Sequence, residues 1–456
     1  MAEKPEENAT SREVVYPWQQ KATAFALSWI ALASGLPFLW FSSWFGPGDF
    51  EFSSAMLYHS VMVPLLVLFY LLVSSSLRLP LCATRWFPGG AILSVLFAGL
   101  GALVGRHTGF SLFAVLRIAG MIGADVLGVA VAVSLVRLGR RRGSALGSER
   151  TAFLLLLTSV LGVLLAAPLG HLAGWSLDFG LISFPGAPKW LRAVGLQPEA
   201  LEDALIASHS HLIVAALLCG LTALAAVLFA STREAHWRSR VRVLGFWLAG
   251  LALVAAAALY LVSAATGWEP PALFASPPNG MPLDDVLLTL MWMGFLAVAL
   301  GMANGLWDAG KQWVKIRTSL RWNLVFGFLG AVVVGVYIEF REVYYGSGEL
   351  PAPGALKDQV FVRAHMLYPF LLLPTAMAFL LAFVANRRYF RHETAALSRV
   401  AQLVLAGMTL GLAGELLWFC GWGKGVFVAG TAVLVLTFVA AAWIFARRCW
   451  VLVRGL

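Results

Sequence analysis

Long apolar runs recur along the whole chain, and they constrain its fold more than any other feature. Of 456 residues, 60% are hydrophobic and only 12% are charged, whereas soluble domains carry about 25% charged residues. The backbone of a chain in a bilayer must satisfy its own hydrogen bonds, which leaves helices or closed barrels. Runs this continuous lack the alternation of barrel strands. The sequence therefore predicts an all-α integral membrane protein with the lipid bilayer as its main partner.

Twelve apolar runs approach the length of about 20 residues that one crossing requires, so we expect twelve transmembrane helices in a single domain, 1–456. The third run is short and rich in glycine. The runs lie near 22–45, 54–76, 89–105, 112–136, 152–170, 203–230, 242–265, 283–306, 323–340, 360–385, 396–419 and 426–446.

Lysine and arginine are concentrated in the connections that follow the even-numbered runs, as at 137–142 and 387–391. Positive charge is held on the cytoplasmic side of a membrane, so both termini are predicted to be cytoplasmic. We expect a multi-pass protein of the bacterial inner membrane. The net charge of +10 follows from this topology and from anionic lipid headgroups, so no nucleic acid is expected as a partner. The first 20 residues are polar, so no cleavable signal peptide is expected.

The four cysteines are scattered and form no CxxC or CxxCH motif: Cys82, Cys219, Cys420 and Cys449. We therefore expect no disulfide framework, no iron–sulfur cluster and no covalently attached c-type heme.

Histidines recur at the outer ends of the second, sixth and tenth runs. His59 heads the second, His209 and His211 the sixth, and His365 the tenth. His211 follows His59 by 152 residues and precedes His365 by 154. This spacing predicts three pseudo-repeated groups of four helices, at about 20–140, 150–306 and 322–447.

Ionisable residues inside a membrane are costly, so they are functional candidates, and neutral imidazole suits iron, copper and zinc. His59, His365, His209 and His211 are therefore candidate metal or heme ligands. The alternative is a hydrogen-bonded histidine near a helix end, which explains one such residue better than it explains a set at one depth. His171, at the outer end of the fifth run, is a weaker candidate.

Twelve spans in three groups of four, with histidines heading spans 2, 6 and 10, resemble the catalytic subunit of the heme-copper oxidase superfamily, which includes oxygen reductases and nitric oxide reductases. His59, in YHSVM, is similar to the family's H-G-x-x-M pattern, and His365 matches the second histidine of its span 10 H-x-H pair. The resemblance implies a six-coordinate heme b between spans 2 and 10. It covers nearly the whole chain as topology, but only short stretches as sequence.

Several family features are missing from this sequence. Arg363 stands where the family has the histidine that binds the high-spin heme, span 7 has no histidine pair, and no tyrosine follows a span 6 histidine by four residues. Copper or non-heme iron is therefore not expected, nor is oxygen reduction coupled to proton pumping. Under the resemblance Arg363 binds heme propionates by bidentate hydrogen bonds; the alternative is that it anchors span 10 at the headgroups.

Residues i and i+2 of a helix point about 200° apart, so His209 and His211 are not expected to bind one ion together. A second heme or metal at one of them stays open. Asp125 and Glu415 are the main acids predicted inside the membrane. Glu415 is expected either to serve as a proton or substrate-access group near the outer side or to pair with Lys424.

Two functions remain. The first is a heme b electron-transfer protein that takes electrons from cytochrome c or a quinol and works with other membrane or periplasmic subunits. A respiratory reductase activity toward NO or O2 stays open for it. The second is a heme-free transporter or a structural subunit of a membrane complex. Transporters with twelve spans are commonly built from two halves of six, whereas the histidine spacing here divides the chain by four spans.

Overall fold

A computed structural model describes residues 16–41, 50–108, 111–142, 150–179, 198–229, 236–266, 272–273, 281–302, 312–334, 368–386, 390, 394–419 and 422–454. Twelve helices account for nearly all of these residues, and each overlaps one of the predicted apolar runs. They are α1 (Pro17–Phe41), α2 (Phe50–Ser76), α3 (Trp86–Thr108), α4 (Ser111–Arg142), α5 (Arg150–Phe179), α6 (Pro198–Phe229), α7 (His236–Thr266), α8 (Leu283–Gly301), α9 (Gln312–Phe328), α10 (Leu373–Ala385), α11 (Thr394–Phe419) and α12 (Lys424–Arg454).

Short irregular elements supplement the helices. A 3-10 turn, Pro80–Ala83, joins α2 to α3, and α9 continues into a π-helical segment, Leu329–Val334. A second π-helical segment, Tyr368–Leu372, leads into α10. Two-residue strands, Ala272–Leu273 and Met281–Pro282, pair antiparallel before α8.

Within the described residues, nine helices are long and apolar enough to cross a membrane: α2 to α7, α10 together with the π-helical segment Tyr368–Leu372 that leads into it, α11 and α12. The third apolar run, doubtful in the sequence, belongs to this set, because its helix extends over 23 residues. The chain is thus a multi-pass membrane protein made of helices. Twelve crossings and cytoplasmic termini stay predictions.

The helices form two layers. Among the described residues, an outer ring runs in the order α1, α3, α4, α5, α7, α8, α9, α11 and α12, and α12 closes the ring by packing against α1. The other three helices, α2, α6 and α10, lie inside the ring and contact one another. Their spans are 83%, 72% and 89% buried, against at most 61% for the other membrane-length helices. Two of the three inner helices carry predicted ligands, His59 on α2 and His209 and His211 on α6.

Close packing and buried hydrogen bonds hold the inner helices in place. Gly220 of α6 lies against the Phe69 ring of α2, and a Cβ at Gly220 would stand 2.4 Å from that ring. Gln19 of α1 donates a 2.8 Å hydrogen bond to the Leu71 carbonyl of α2. In lipid, small residues that let backbones approach and hydrogen bonds between helices are the main sources of helix association.

Candidate histidine site

The structure describes three of the five predicted site residues. His59 lies in the first half of α2, and His209 and His211 lie in α6; all three are half-buried. His365 and Arg363 lie outside the described residues, so the implied pairing of His59 with His365 stays a prediction.

His59 and His209 are neighbours across the interface of α2 and α6. Their ring centroids are 6.2 Å apart and the ring planes are inclined by 28°. The spacing of histidines in the sequence indicated a shared depth for spans 2 and 6, but it did not indicate which histidine of the HSH stretch faces His59. The structure brings His209 to that position.

His209 is held by α5 as well as by α6. Its Nδ1 lies 3.0 Å from the Ala166 carbonyl oxygen. Because a carbonyl oxygen only accepts, Nδ1 carries the proton and the lone pair of neutral His209 is on Nε2. The ring rests on Gly170, where a Cβ would stand 2.3 Å from it. Metal-ligating histidines typically donate their other N–H to a carbonyl or carboxylate in this way.

His171 of α5 and Asp125 of α4 form a pair that the sequence did not predict. His171 Nε2 lies 2.6 Å from Asp125 Oδ2, and the side chains are 28% and 29% exposed. In the sequence, Asp125 lies within the fourth apolar run and His171 directly follows the fifth. Their pairing depends on how α4 packs against α5, and the sequence contains no pattern that encodes it.

The pair lies beside the inner histidines. The His209 ring rests on Gly170, the residue that precedes His171 in α5, and His59 is the neighbour of His209 across α2 and α6. Asp125, His171, His209 and His59 thus follow one another from the outer ring, past α5 and α6, to α2, and we call this series the polar chain.

His211 faces another direction. Its ring lies 5.7 Å, between centroids, from the Tyr260 ring of α7, with the planes inclined by 27°. Ser208 Oγ donates a 3.2 Å hydrogen bond to the Tyr260 carbonyl, which joins α6 to α7 at the same place. His209 and His211 thus contact different helices, as the geometry of a helix predicts.

The ligand set available here is small. In the part of the chain that the structure describes, no three side chains of His, Cys, Asp or Glu converge as a metal site would require. An ion held only by protein side chains in the tetrahedral geometry of zinc needs three or four such ligands. A heme, whose porphyrin supplies four nitrogens, needs at most two.

Glu415 lies apart from the polar chain, between the two π-helical segments. It is 1% exposed, and Oε2 lies 3.4 Å from the position that a Cβ on Gly330 would take. The Tyr368 ring lies 3.4 Å from the same position, and its hydroxyl donates to the Met408 carbonyl. Lys424, the partner considered for Glu415, places its ammonium 5.6 Å from the Trp418 ring centre. π-Helical turns occur frequently at functional sites, so Glu415 remains a second candidate position.

Compared with family models, curated proteins and solved structures, the chain has no significant match. The resemblance to heme-copper oxidases therefore rests on the number of spans, the placement of the histidines and the short stretches around His59 and His365.

Proposed function

We propose that this protein is a membrane cytochrome that holds heme b between its inner helices and transfers electrons, with an architecture like the heme-copper oxidase subunit. His59 would hold the heme iron as one ligand. The resemblance names His365 as the second ligand. One observation carries the proposal: the innermost helices are α2, which bears His59, α6, which bears His209, and α10, whose π-helical lead begins three residues after His365 in the sequence.

The described residues fit an imidazole-ligated group at this place. The His59 and His209 rings have centroids 6.2 Å apart, so both imidazoles would be available to one group held between α2 and α6. The Nδ1 bond to Ala166 leaves Nε2 of His209 as its coordinating atom. His209 is therefore the alternative second ligand. Bound heme supplies reversible one-electron exchange at iron.

The electron donor in this proposal is a cytochrome c or a quinol at the outer half of the membrane. Other membrane or periplasmic subunits would receive the electrons. The sequence lacks the family's complete reaction site, so the proposal does not include an activity toward NO or O2. Assays of NO and O2 consumption would test that activity separately.

A visible spectrum of the purified protein tests the proposal. We expect a b-type band in the reduced-minus-oxidised spectrum and about one heme per chain by pyridine hemochrome assay. His59→Ala abolishes the low-spin band. Loss of the band in His365→Ala, with retention in His209→Ala, assigns the second ligand to span 10; the reverse assigns it to α6.

His236→Ala is the matched control, because His236 begins α7 at the predicted cytoplasmic side. It should retain the heme content of the wild-type protein. The absence of heme from wild-type protein purified from heme-supplemented cells would disprove the proposal.

The polar chain favours one other function. Chains of Asp and His residues in membranes mark proton relays in pumps and transporters, so a heme-free transporter is the second candidate. Proton uptake by reconstituted, heme-free protein, lost in Asp125→Asn, would support it.

A further inference from the structure

We infer that Asp125 and His171 form a binding and proton-accepting site for a lipid-soluble quinol on the α4–α5 surface of the bundle. This inference rests on the proposed electron-transfer function and specifies the class of its donor. The site lies on the outer ring, away from the three inner helices.

The pair is open to the membrane. Asp125 and His171 are each nearly a third exposed. Both lie on helices of the outer ring, which faces lipid. Apolar side chains around them are more exposed still: Ile122 at 51%, Val126 at 56% and Leu172 at 47%. The surface beside the pair is therefore in contact with hydrocarbon, so a molecule dissolved in the bilayer reaches the carboxylate and the imidazole directly.

A carboxylate within a membrane-spanning helix is unfavourable in free energy. Asp125 follows the first residue of α4 by 14 residues, about 21 Å along the helix. Its bond to His171 occupies one carboxylate oxygen and one ring nitrogen. The second oxygen and the second ring nitrogen are able to bond a polar group that arrives through the membrane. A pair of this kind on a lipid-facing surface offers a hydrogen-bonding place for a hydroxyl group, which is costly to leave unpaired in hydrocarbon.

The class of ligand follows from these surroundings. It must be apolar enough to move within the bilayer, carry hydroxyl groups for Asp125 and His171, and have a flat or branched apolar body that packs against Val126 and Leu172. A quinol has all three properties. A phospholipid headgroup is held at the membrane surface and is less suited to a carboxylate this far along α4.

The polar chain connects this surface to the proposed heme position. The His209 ring rests on Gly170, the residue that precedes His171, and His59 lies next to His209. Oxidation of one quinol to a quinone breaks two O–H bonds and releases two protons and two electrons. The protons would pass to Asp125 and His171. A bound heme would accept the two electrons one at a time, so one quinol would supply two one-electron reductions.

Photoaffinity labelling of the full-length protein in detergent tests binding without using heme as the readout. We expect an azidoquinone to label peptides from α4 or α5, with protection by excess unlabelled quinone. Asp125→Asn and His171→Gln should each lower the labelling at least fivefold. Thr409→Val is the control, because Thr409 is an exposed polar residue of the outer-ring helix α11.

Stopped-flow reduction tests electron transfer. Decylubiquinol should reduce heme at least tenfold more slowly in both variants than in wild type, while dithionite reduces it to the same final extent. Using two variants guards against a folding defect in one of them, and thermal midpoints report on folding.

Labelling outside α4 and α5, or labelling and rates unchanged in both variants, would overturn the inference. Either outcome would indicate that a lipid or a helix of a partner subunit covers the pair of Asp125 and His171. If the protein contains no heme and α4–α5 is still labelled and protected, the proposed function fails and the quinol site stands. If heme is present and no quinone is bound, only the quinol site fails.

Discussion

Gln20 of α1 donates a 2.7 Å hydrogen bond to Oδ1 of Asn386, which lies 366 residues further along the chain at the end of α10. Asn386 in turn donates to the Ala382 carbonyl at 2.8 Å. Both side chains are buried. One amide pair thus connects an outer-ring helix from the beginning of the chain to the most buried of the inner helices.

This amide pair should contribute measurably to stability. We expect Gln20→Leu and Asn386→Leu each to lower the unfolding midpoint in detergent, because each leaves the other amide buried without its partner. A double-mutant cycle should give a coupling free energy of about 0.6 kcal/mol, the average for hydrogen bonds between membrane helices. A coupling near zero would show that water or another group replaces the bond.

Gly170→Ala should displace His209. The new Cβ would stand 2.3 Å from the His209 ring, so the ring must rotate away from Ala166 or the helices must separate. Overpacking of this kind costs about 1–3 kcal/mol. We expect a lower thermal midpoint and, if heme is bound, a shifted or broadened b-type band.

Gly89→Ala provides the control for this variant. A Cβ on Gly89, in α3, meets nothing within 4 Å, so the exchange should leave the spectrum and the midpoint unchanged or raise the midpoint slightly, since alanine favours helix. Equal effects of both alanines would argue against a specific contact at His209.

Gly411→Ala should disturb the π-helical segment that leads into α10. Its Cβ would stand 2.5 Å from the Tyr368 ring, and Tyr368 is fully buried. The expected cost is again about 1–3 kcal/mol. Because His365 precedes Tyr368 by three residues, heme content should fall as well. Gly425→Ala, where a Cβ meets nothing within 4 Å, should leave both quantities unchanged; normal heme content in Gly411→Ala would argue against His365 as a ligand.

The orientation of the helices can be tested with reporter fusions. Alkaline phosphatase joined after residue 109, between α3 and α4, should be active, because that connection is predicted to face outward. The same enzyme joined after residue 145, beyond the arginines that end α4, should be inactive, and a fluorescent protein joined there should fluoresce. The opposite pattern would invert the topology and place the histidines on the cytoplasmic side.

The positions of the helices followed from the sequence because the bilayer imposes one simple condition, an apolar run of sufficient length. The run near 89–105, short as an apolar stretch, became a 23-residue helix once the flanking residues from Trp86 to Thr108 were included. The divergence of His209 and His211 followed equally directly, because the angle between positions i and i+2 is a property of any helix.

Contacts between helices did not follow from the sequence. Asp125 is an acid within the fourth apolar run and His171 follows the fifth, but nothing in either stretch of sequence encodes that α4 and α5 bring them to 2.6 Å. The choice of His209 rather than His211 as the neighbour of His59 also depends on packing, in particular on the space left by Gly170. Such contacts are set by the rotation of each helix about its own axis. A helix that is apolar on every side has no polar face in its sequence that would indicate this rotation.

The contact of α12 with α1 has a consequence for how the protein is made. The ring is closed by α1 and α12, the two described helices that lie furthest apart in the sequence, and α2 is buried against α10, which is synthesised about 300 residues later. Until then α2 must remain in the lipid or be shielded by an insertion factor, with His59 exposed to hydrocarbon. Synthesis that stops before α10 would leave α2 and α6 without their central neighbour, so truncated chains should be recognised and degraded by membrane proteases.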